Sequence, residues 1–490
     1  MKCFTRSLAL HAAGLFLDSP GRKELDKQKY ENENRSFFLI GELHKHRMAG
    51  GAWVGRWKPK VDGAHAVHTL SAIVAQKTIA AREQQDMDYA PFAAVHELLK
   101  QAYPALFSAA HAQAVADGSL LILLPGAQKK RPLLFLGHLD VRPVEEDNLS
   151  LWEVPPYSGN ASKGYVYGCG AWEGKGRIIA LCEAAESLLV NGWQPSADIW
   201  FAFSNDAQVY GTSAKQMCRI LQSQGVEPAF ILDGGGAVEG RFAKIGVAEK
   251  GYADIALSTT GNGGYAAKPE YPIDLEKLFA AGAYISKSKM KPKLSPPVEW
   301  MLKALAPHMP FFKRFIFSRP QLFLPILARM RRDKDIHPTS FFSTIVPTQV
   351  KAGPAPDMMA RHHTLTYHCR LLPGDTVEKV IAQIRNAIGA LEIRIAVQGA
   401  ERPSGLSPAQ GATWEAMATA IQILFPDAVT IPCLVEHTTD ARCYEELGGN
   451  IYRFSPFRMG EGDGPLPVNE RISLENLELG IQFYQQMLQA

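Results

Sequence analysis

The sequence predicts an α/β protein: a mostly parallel sheet with helices on both faces, plus a smaller inserted α+β unit. Three observations carry that prediction. Short apolar runs typical of buried parallel strands (Leu133–Leu136, Ile199–Phe203, Phe230–Leu232) alternate with helical stretches. The runs end in polar or glycine-rich segments, His138 to Asp140, Ser204 to Asp206 and Asp233 to Gly236. Open α/β sheets place their chemistry at such strand ends.

The elements follow in order. Residues 18–65 are polar and unperiodic, and 1–65 as a whole read as a poorly patterned, loosely ordered arm. His68 to about Gln101 has helical spacing, and Ser119–Leu124 and Leu133–Leu136 are strands around a turn at Gly126 to Arg131. Helices are expected at Gly176–Asn191 and Thr212–Gln224, flanking the strand Ile199–Phe203. After Lys250 the texture changes. Ala253–Thr259 alternates as a half-buried strand does, and Gly261–Gly264 is a tight turn. A basic, Pro-punctuated helical stretch then runs from Lys287 to Lys334. The strand Thr364–Leu371, helix Val377–Leu391 and strand Glu392–Val397 complete a unit that returns on itself. From Ser407 the first texture resumes, with a helix Gly411–Leu424, strands near Val429 and Ile451, and a helix from Leu474. The expected organisation is thus 1–65 arm, 66–251 and 400–490 one α/β domain, and 252–399 an inserted lid or dimerisation domain.

A chain of 490 residues exceeds one ordinary core. A net charge of +3 argues for neither a nucleic-acid nor a membrane partner. Seven scattered Cys form no disulfide framework and no Cys-x-x-Cys zinc pattern, which makes the cytoplasm the default compartment. Lys2 and Arg6 before Ser7–Leu17 give only a weak signal-peptide pattern, broken by His11.

His138-Leu139-Asp140 puts an imidazole and a carboxylate on one face of a strand end. Imidazole is a common metal ligand whose tautomer a carboxylate fixes. Two ordinary polar residues at a strand end would read the same way, and the tripeptide alone does not separate the alternatives.

Further motifs do. They are Gly168-Cys169-Gly170-Ala171-Trp172-Glu173-Gly174-Lys175-Gly176, Asn205-Asp206-Ala207-Gln208, Asp233-Gly234-Gly235, Arg370-Leu371-Leu372-Pro373-Gly374-Asp375 and Thr439-Asp440-Ala441-Arg442. Together with Trp152…Pro155-Pro156-Tyr157 and Tyr452-Arg453-Phe454-Ser455-Pro456, they resemble the zinc-dependent aminoacylase and carboxypeptidase family. That family includes acetylornithine deacetylases and desuccinylases, and the chain is most similar to its carboxypeptidase-S and N-fatty-acyl-amino-acid synthase/hydrolase branch. The resemblance runs from about His68 to the C-terminus. It implies a two-zinc catalytic domain with a lid, hydrolysing amides beside a free carboxylate through a metal-bound water and a Glu base.

By that resemblance His138, Glu173 and Asp233 match metal-ligand positions, and Asp140 matches the carboxylate that orients His138. Glu173 is one methylene longer than the family's bridging Asp, and Gly174 replaces a second acid. Ala207 stands at the general base, and a methyl group takes no proton. Gln208 and Leu466 occupy two further ligand positions, and neither is a good zinc ligand. Tyr265 stands where the lid supplies an oxyanion-stabilising His, and retains one hydroxyl donor.

The resemblance therefore implies a family member with impaired or lost hydrolase activity, binding zinc weakly or substoichiometrically. Its ligand would be an N-acyl amino acid or peptide, with homodimerisation or pairing with an active relative through the lid. The alternative is an active metallohydrolase with a rearranged, single-metal site on His138, Glu173 and Asp233. His437 and His362-His363 are spare histidines near these segments, open to recruitment by a rewired site, although lone histidines are more often surface or core residues. Cys169 reads as a small apolar filler rather than a nucleophile. Gly234-Gly235-Gly236 reads as a tight turn, since the Lys-Ser/Thr of a P-loop is missing. The basic run Lys287 to Arg332 reads as a solvated face.

Overall fold

The computed structural model describes residues 60–490 except 82, 210, 270, 272, 331–336, 354 and 461–462. The expected arm, up to residue 59, and the signal-like stretch lie outside the described residues. Among the described residues no helix is long and apolar enough to cross a membrane.

The large sheet takes strands β1 (His111–Val115), β2 (Ser119–Leu124), β3 (Leu133–His138), β4 (Ile199–Ser204), β5 (Phe230–Asp233), β6 (Val238–Glu239) and β7 (Phe242–Glu249). A second, four-stranded sheet holds β8 (Gly251–Thr260), β9 (Thr344–Lys351), β10 (His362–Leu371) and β11 (Arg394–Glu401). The chain then returns to the large sheet with β12 (Val429–Val435), β13 (Asn450–Arg453) and β14 (Arg458–Met459). The large sheet runs β1-β2-β4-β3-β5-β13-β7-β6-β14, with β12 alongside β7. Its centre, β4-β3-β5-β13, is parallel. The small sheet runs β9-β10-β8-β11 and is antiparallel throughout.

Burial on both faces explains the unbroken apolar runs. Leu133 and Phe135 join one core with helices α1 (Gly63–Val74), α2 (Ala90–Ala102), α3 (Pro104–Ala109) and α4 (Lys175–Val190). Leu134 and Leu136 point the other way, into a core with α5 (Ser213–Ser223). Helix α6 (Asp274–Lys287) packs on the small sheet. Three short helices follow it: α7 (Pro296–Leu305), α8 (Phe311–Phe317) and α9 (Pro320–Leu327). Helix α10 (Val377–Ile388) joins α6 on the small sheet. Helices α11 (Ala412–Leu424) and α12 (Leu474–Leu488) return to the large core.

Two sequence expectations need correction. The helical stretch from His68 to Gln101 is two helices, α1 and α2, separated by a turn and a short 3₁₀ segment at Gln84–Asp86. Pro91 opens the second, where its missing N–H costs nothing. Strand β9 was hidden by Pro347. It lies at the sheet edge with a register shift between Pro347 and Gln349, which is where a strand tolerates proline.

Candidate functional site

The parallel centre of the large sheet brings its carboxyl ends to one edge. His138 of β3 is in register with Ser204 of β4, and Asp233 of β5 with Arg453 of β13. A cleft of about 650 Å³ opens there. His138, Asp140, Cys169, Glu173, Ala207, Gln208, Asp233, His437 and Leu466 all line it, so the sequence motifs do converge. Tyr265 does not line it. It sits 68% exposed on a two-residue strand paired with Met358–Met359. His362 and His363 belong to β10 of the small sheet.

His138 Nδ1 lies 3.4 Å from Asp140 Oδ1 and 3.1 Å from the Asp140 backbone oxygen. The other oxygen of Asp140, Oδ2, accepts from the Gln208 backbone N–H at 2.8 Å. Burial alone would lower the His138 pKa. The carboxylates of Asp140, Glu173 and Asp440 outweigh it and raise the value to about 9. These carboxylates favour the protonated form of the imidazole.

A buried cation is paired with Asp233. Arg177, buried in the first turn of α4, donates from Nη2 to the Leu136 carbonyl at 2.7 Å and to Asp233 Oδ1 at 3.3 Å. Asp233 Oδ1 also accepts from the Gly234 N–H at 2.7 Å, and Oδ2 from the Ala441 N–H at 3.1 Å. Both oxygens of this expected ligand are therefore engaged by protein donors. A Cβ on residue 234 would lie 2.0 Å from Arg177 Nη1, so only glycine there leaves the guanidinium its place. Nearby, Ser204 Oγ donates to Asp440 Oδ2 at 2.5 Å. Burial, then the charge of Asp233, pushes the Asp440 carboxyl up to about 7.

The loop carrying Glu173 is held by Glu470. Its Oε2 accepts from the Gly170 N–H at 2.9 Å, and its Oε1 from the N–H groups of Trp172 and Glu173 at 2.9 and 3.0 Å. Gly174 has φ +84° at the start of α4, and a Cβ there would lie 2.6 Å from the His138 carbonyl oxygen and 2.7 Å from its ring. Gln208 is turned to Arg142, whose Nε donates to its Oε1 at 2.7 Å. Burial and then Glu470 push the Cys169 thiol up to about 12, so it is no thiolate. Buried Glu249 accepts from Arg453 Nε at 2.7 Å and from the Thr439 N–H at 3.0 Å, fixing the segment that bears His437 and Asp440.

These donors do not fit a metal pair. Of the five expected ligand positions, His138 keeps an imidazole and Glu173 a carboxylate, but the Asp233 carboxylate is bound to a guanidinium and the other two are an amide and a leucine. Among the described residues no three His, Cys, Asp or Glu side chains come together to hold an ion. Arg177 does not stand out in the sequence, where a basic residue at a helix start ordinarily meets water.

A parallel-centred sheet with a cleft at its strand ends, joined to a smaller antiparallel sheet, defines a metallopeptidase-type α/β fold. The chain belongs to the peptidase family M20/M25/M40, whose family model matches residues 134–490. It is 27% identical over 411 residues to the mouse N-fatty-acyl-amino acid synthase/hydrolase PM20D1, covering 80% of this chain and 81% of that one. With the probable carboxypeptidase S-like 2 of Dictyostelium discoideum the identity is 28% over 429 residues, covering 84% and 82%. Among solved structures, the M20 family metallo-carboxypeptidase Sso-CP2 of Sulfolobus solfataricus superposes with a TM-score of 0.65 at 14% identity, covering 86% of this chain and 98% of that one. Human carnosine dipeptidase 1 gives 0.62 at 16%, covering 87% and 97%.

Proposed function

We propose that this chain binds N-acyl amino acids or small peptides in its cleft and hydrolyses them poorly or not at all by the metal-water route. The observation that carries the reading is Ala207, a methyl group in the cleft wall at the expected place of the general base. Losing such a base alone costs roughly 10²–10⁴ in rate. The Arg177 guanidinium on Asp233 supports the same reading, because it neutralises a carboxylate that a metal would need. Zinc binding is accordingly weak or substoichiometric. Residues 252–399 serve as a lid and as the surface for pairing with a second copy or an active relative.

The ligand class follows from the names of the relatives, an N-fatty-acyl-amino acid enzyme and a carboxypeptidase. The test is turnover of a panel of N-acyl amino acids in zinc-supplemented buffer, beside an active relative, together with equilibrium binding of the same compounds. Saturable binding without turnover is the expected result. Turnover within a few hundred-fold of the relative would overturn the proposal.

A further inference from the structure

Helices α8 and α9 bury one side only. Ile316, Phe317 and Leu327 pack into the core around Phe242, Ile431 and Leu434. The outer side is apolar as well: Phe311 is 87% exposed, Phe312 and Leu322 73% each, and Phe315 and Ile326 about half. A surface helix ordinarily shows water its polar face. Contiguous exposed aromatic and aliphatic side chains of this kind mark an interaction surface.

The charge of the segment is equally one-sided. Between Trp300 and Arg332 there are seven Lys and Arg and no Asp or Glu, whereas the whole chain carries 52 basic and 49 acidic residues. Lys303 is paired with Glu299 at 2.9 Å, outside that window. Arg319 lies over the Phe315 ring at 5.1 Å, and Phe315 meets Phe323 edge-on at 5.4 Å. Cationic heads and apolar rings therefore share one face.

We propose that this face docks on the anionic surface of a phospholipid bilayer. Phe311, Phe312 and Leu322 would enter the headgroup boundary while Lys313, Arg314 and Arg319 meet the lipid anions. Pairing of this face with itself in a second copy would set one basic segment against the other, which like-charge repulsion opposes. An apolar interior beneath a negatively charged surface matches both halves of the patch. The net charge of the chain conceals this, because the excess is local. The inference is independent of whether the cleft hydrolyses anything.

The experiment is flotation of the full-length protein with phosphatidylcholine vesicles, with and without phosphatidylserine. Binding only to the phosphatidylserine vesicles, weakening as salt rises, is expected. Phe311→Ser/Phe312→Ser/Leu322→Ser should lower partitioning roughly tenfold or more with the melting temperature unchanged, since these side chains are exposed. Arg314→Gln/Arg319→Gln, which leaves the apolar residues in place, should weaken binding to phosphatidylserine vesicles specifically. Absence of binding to phosphatidylserine vesicles, or binding that both variants retain in full, would overturn the proposal. So would ultracentrifugation showing a dimer that the serine variant converts to monomer, which would assign the face to a second copy.

Discussion

Arg177 and Asp233 form a buried ion pair, Nη2 to Oδ1 at 3.3 Å, at the carboxyl edge of the parallel strands. The guanidinium places a positive charge on the carboxylate that the proposed function assigns to a metal-ligand position. Breaking one side of a buried pair leaves an uncompensated charge, at a cost of about 3–5 kcal/mol. Arg177→Met should therefore be strongly destabilising, and Arg177→Met/Asp233→Asn much less so. Urea unfolding of the two single variants and the double variant measures the coupling.

On the proposed function, the same pair governs how readily the cleft takes up zinc. Ala207→Glu/Gln208→Glu/Leu466→His restores the family's base and two of its ligand side chains but leaves Arg177 on Asp233. That triple variant should still bind little zinc, and adding Arg177→Met should raise zinc toward stoichiometry. Metal analysis after dialysis distinguishes the two. A triple variant that already holds stoichiometric zinc would show that Arg177 is no obstacle.

Gly174 should resist restoration of the family's acid. Its φ of +84° and a Cβ position 2.6 Å from the His138 carbonyl oxygen strain any side chain there. Gly174→Asp and Gly174→Ala should each lose about 1–3 kcal/mol. Similar losses in both would assign the cost to shape rather than charge, read from their unfolding midpoints.

Glu470 should matter more as an acceptor than as a charge. Glu470→Ala orphans the N–H groups of Gly170, Trp172 and Glu173, at about 1–3 kcal/mol for each donor left unsatisfied. Glu470→Gln keeps one carbonyl oxygen and should cost less. Chemical denaturation of both variants checks the order.

His96 gives a pH signature. It is buried on α2 with Nε2 3.2 Å from the Gly118 carbonyl oxygen, and burial lowers its pKa from 6.5. The unfolded chain then takes up the proton first on acidification. Its contribution to stability is fully present above 6.5 and falls as pH drops below that value. The melting temperature should decline from pH 7 toward pH 5, and His96→Gln should flatten part of that slope.

What the sequence disclosed follows a physical pattern. β3, β4 and β5 were legible because strands buried on both faces leave uninterrupted apolar runs, and their ends located His138 and Asp233. β9 was not, because an edge strand absorbs a proline that reads as a breaker. Ala207, Gln208 and Leu466 were visible as departures from a motif, since identity alone defines them. Arg177 was not, because a charged residue at a helix start normally meets water. Its burial arises only when α4 is laid across β3 and β5. The outer face of α8 and α9 was likewise hidden, because a basic run looks solvated until the packing shows which apolar residues remain outside.

The grip of Glu470 on the loop at Gly170 joins residues 300 positions apart. During synthesis, 300 further residues must emerge before that loop gains its acceptor. A product that stops short of Glu470 would already hold β3, β4 and β5 with their apolar faces, but the wall bearing Glu173 would have no anchor. Completion of the cleft is thereby tied to synthesis through Glu470.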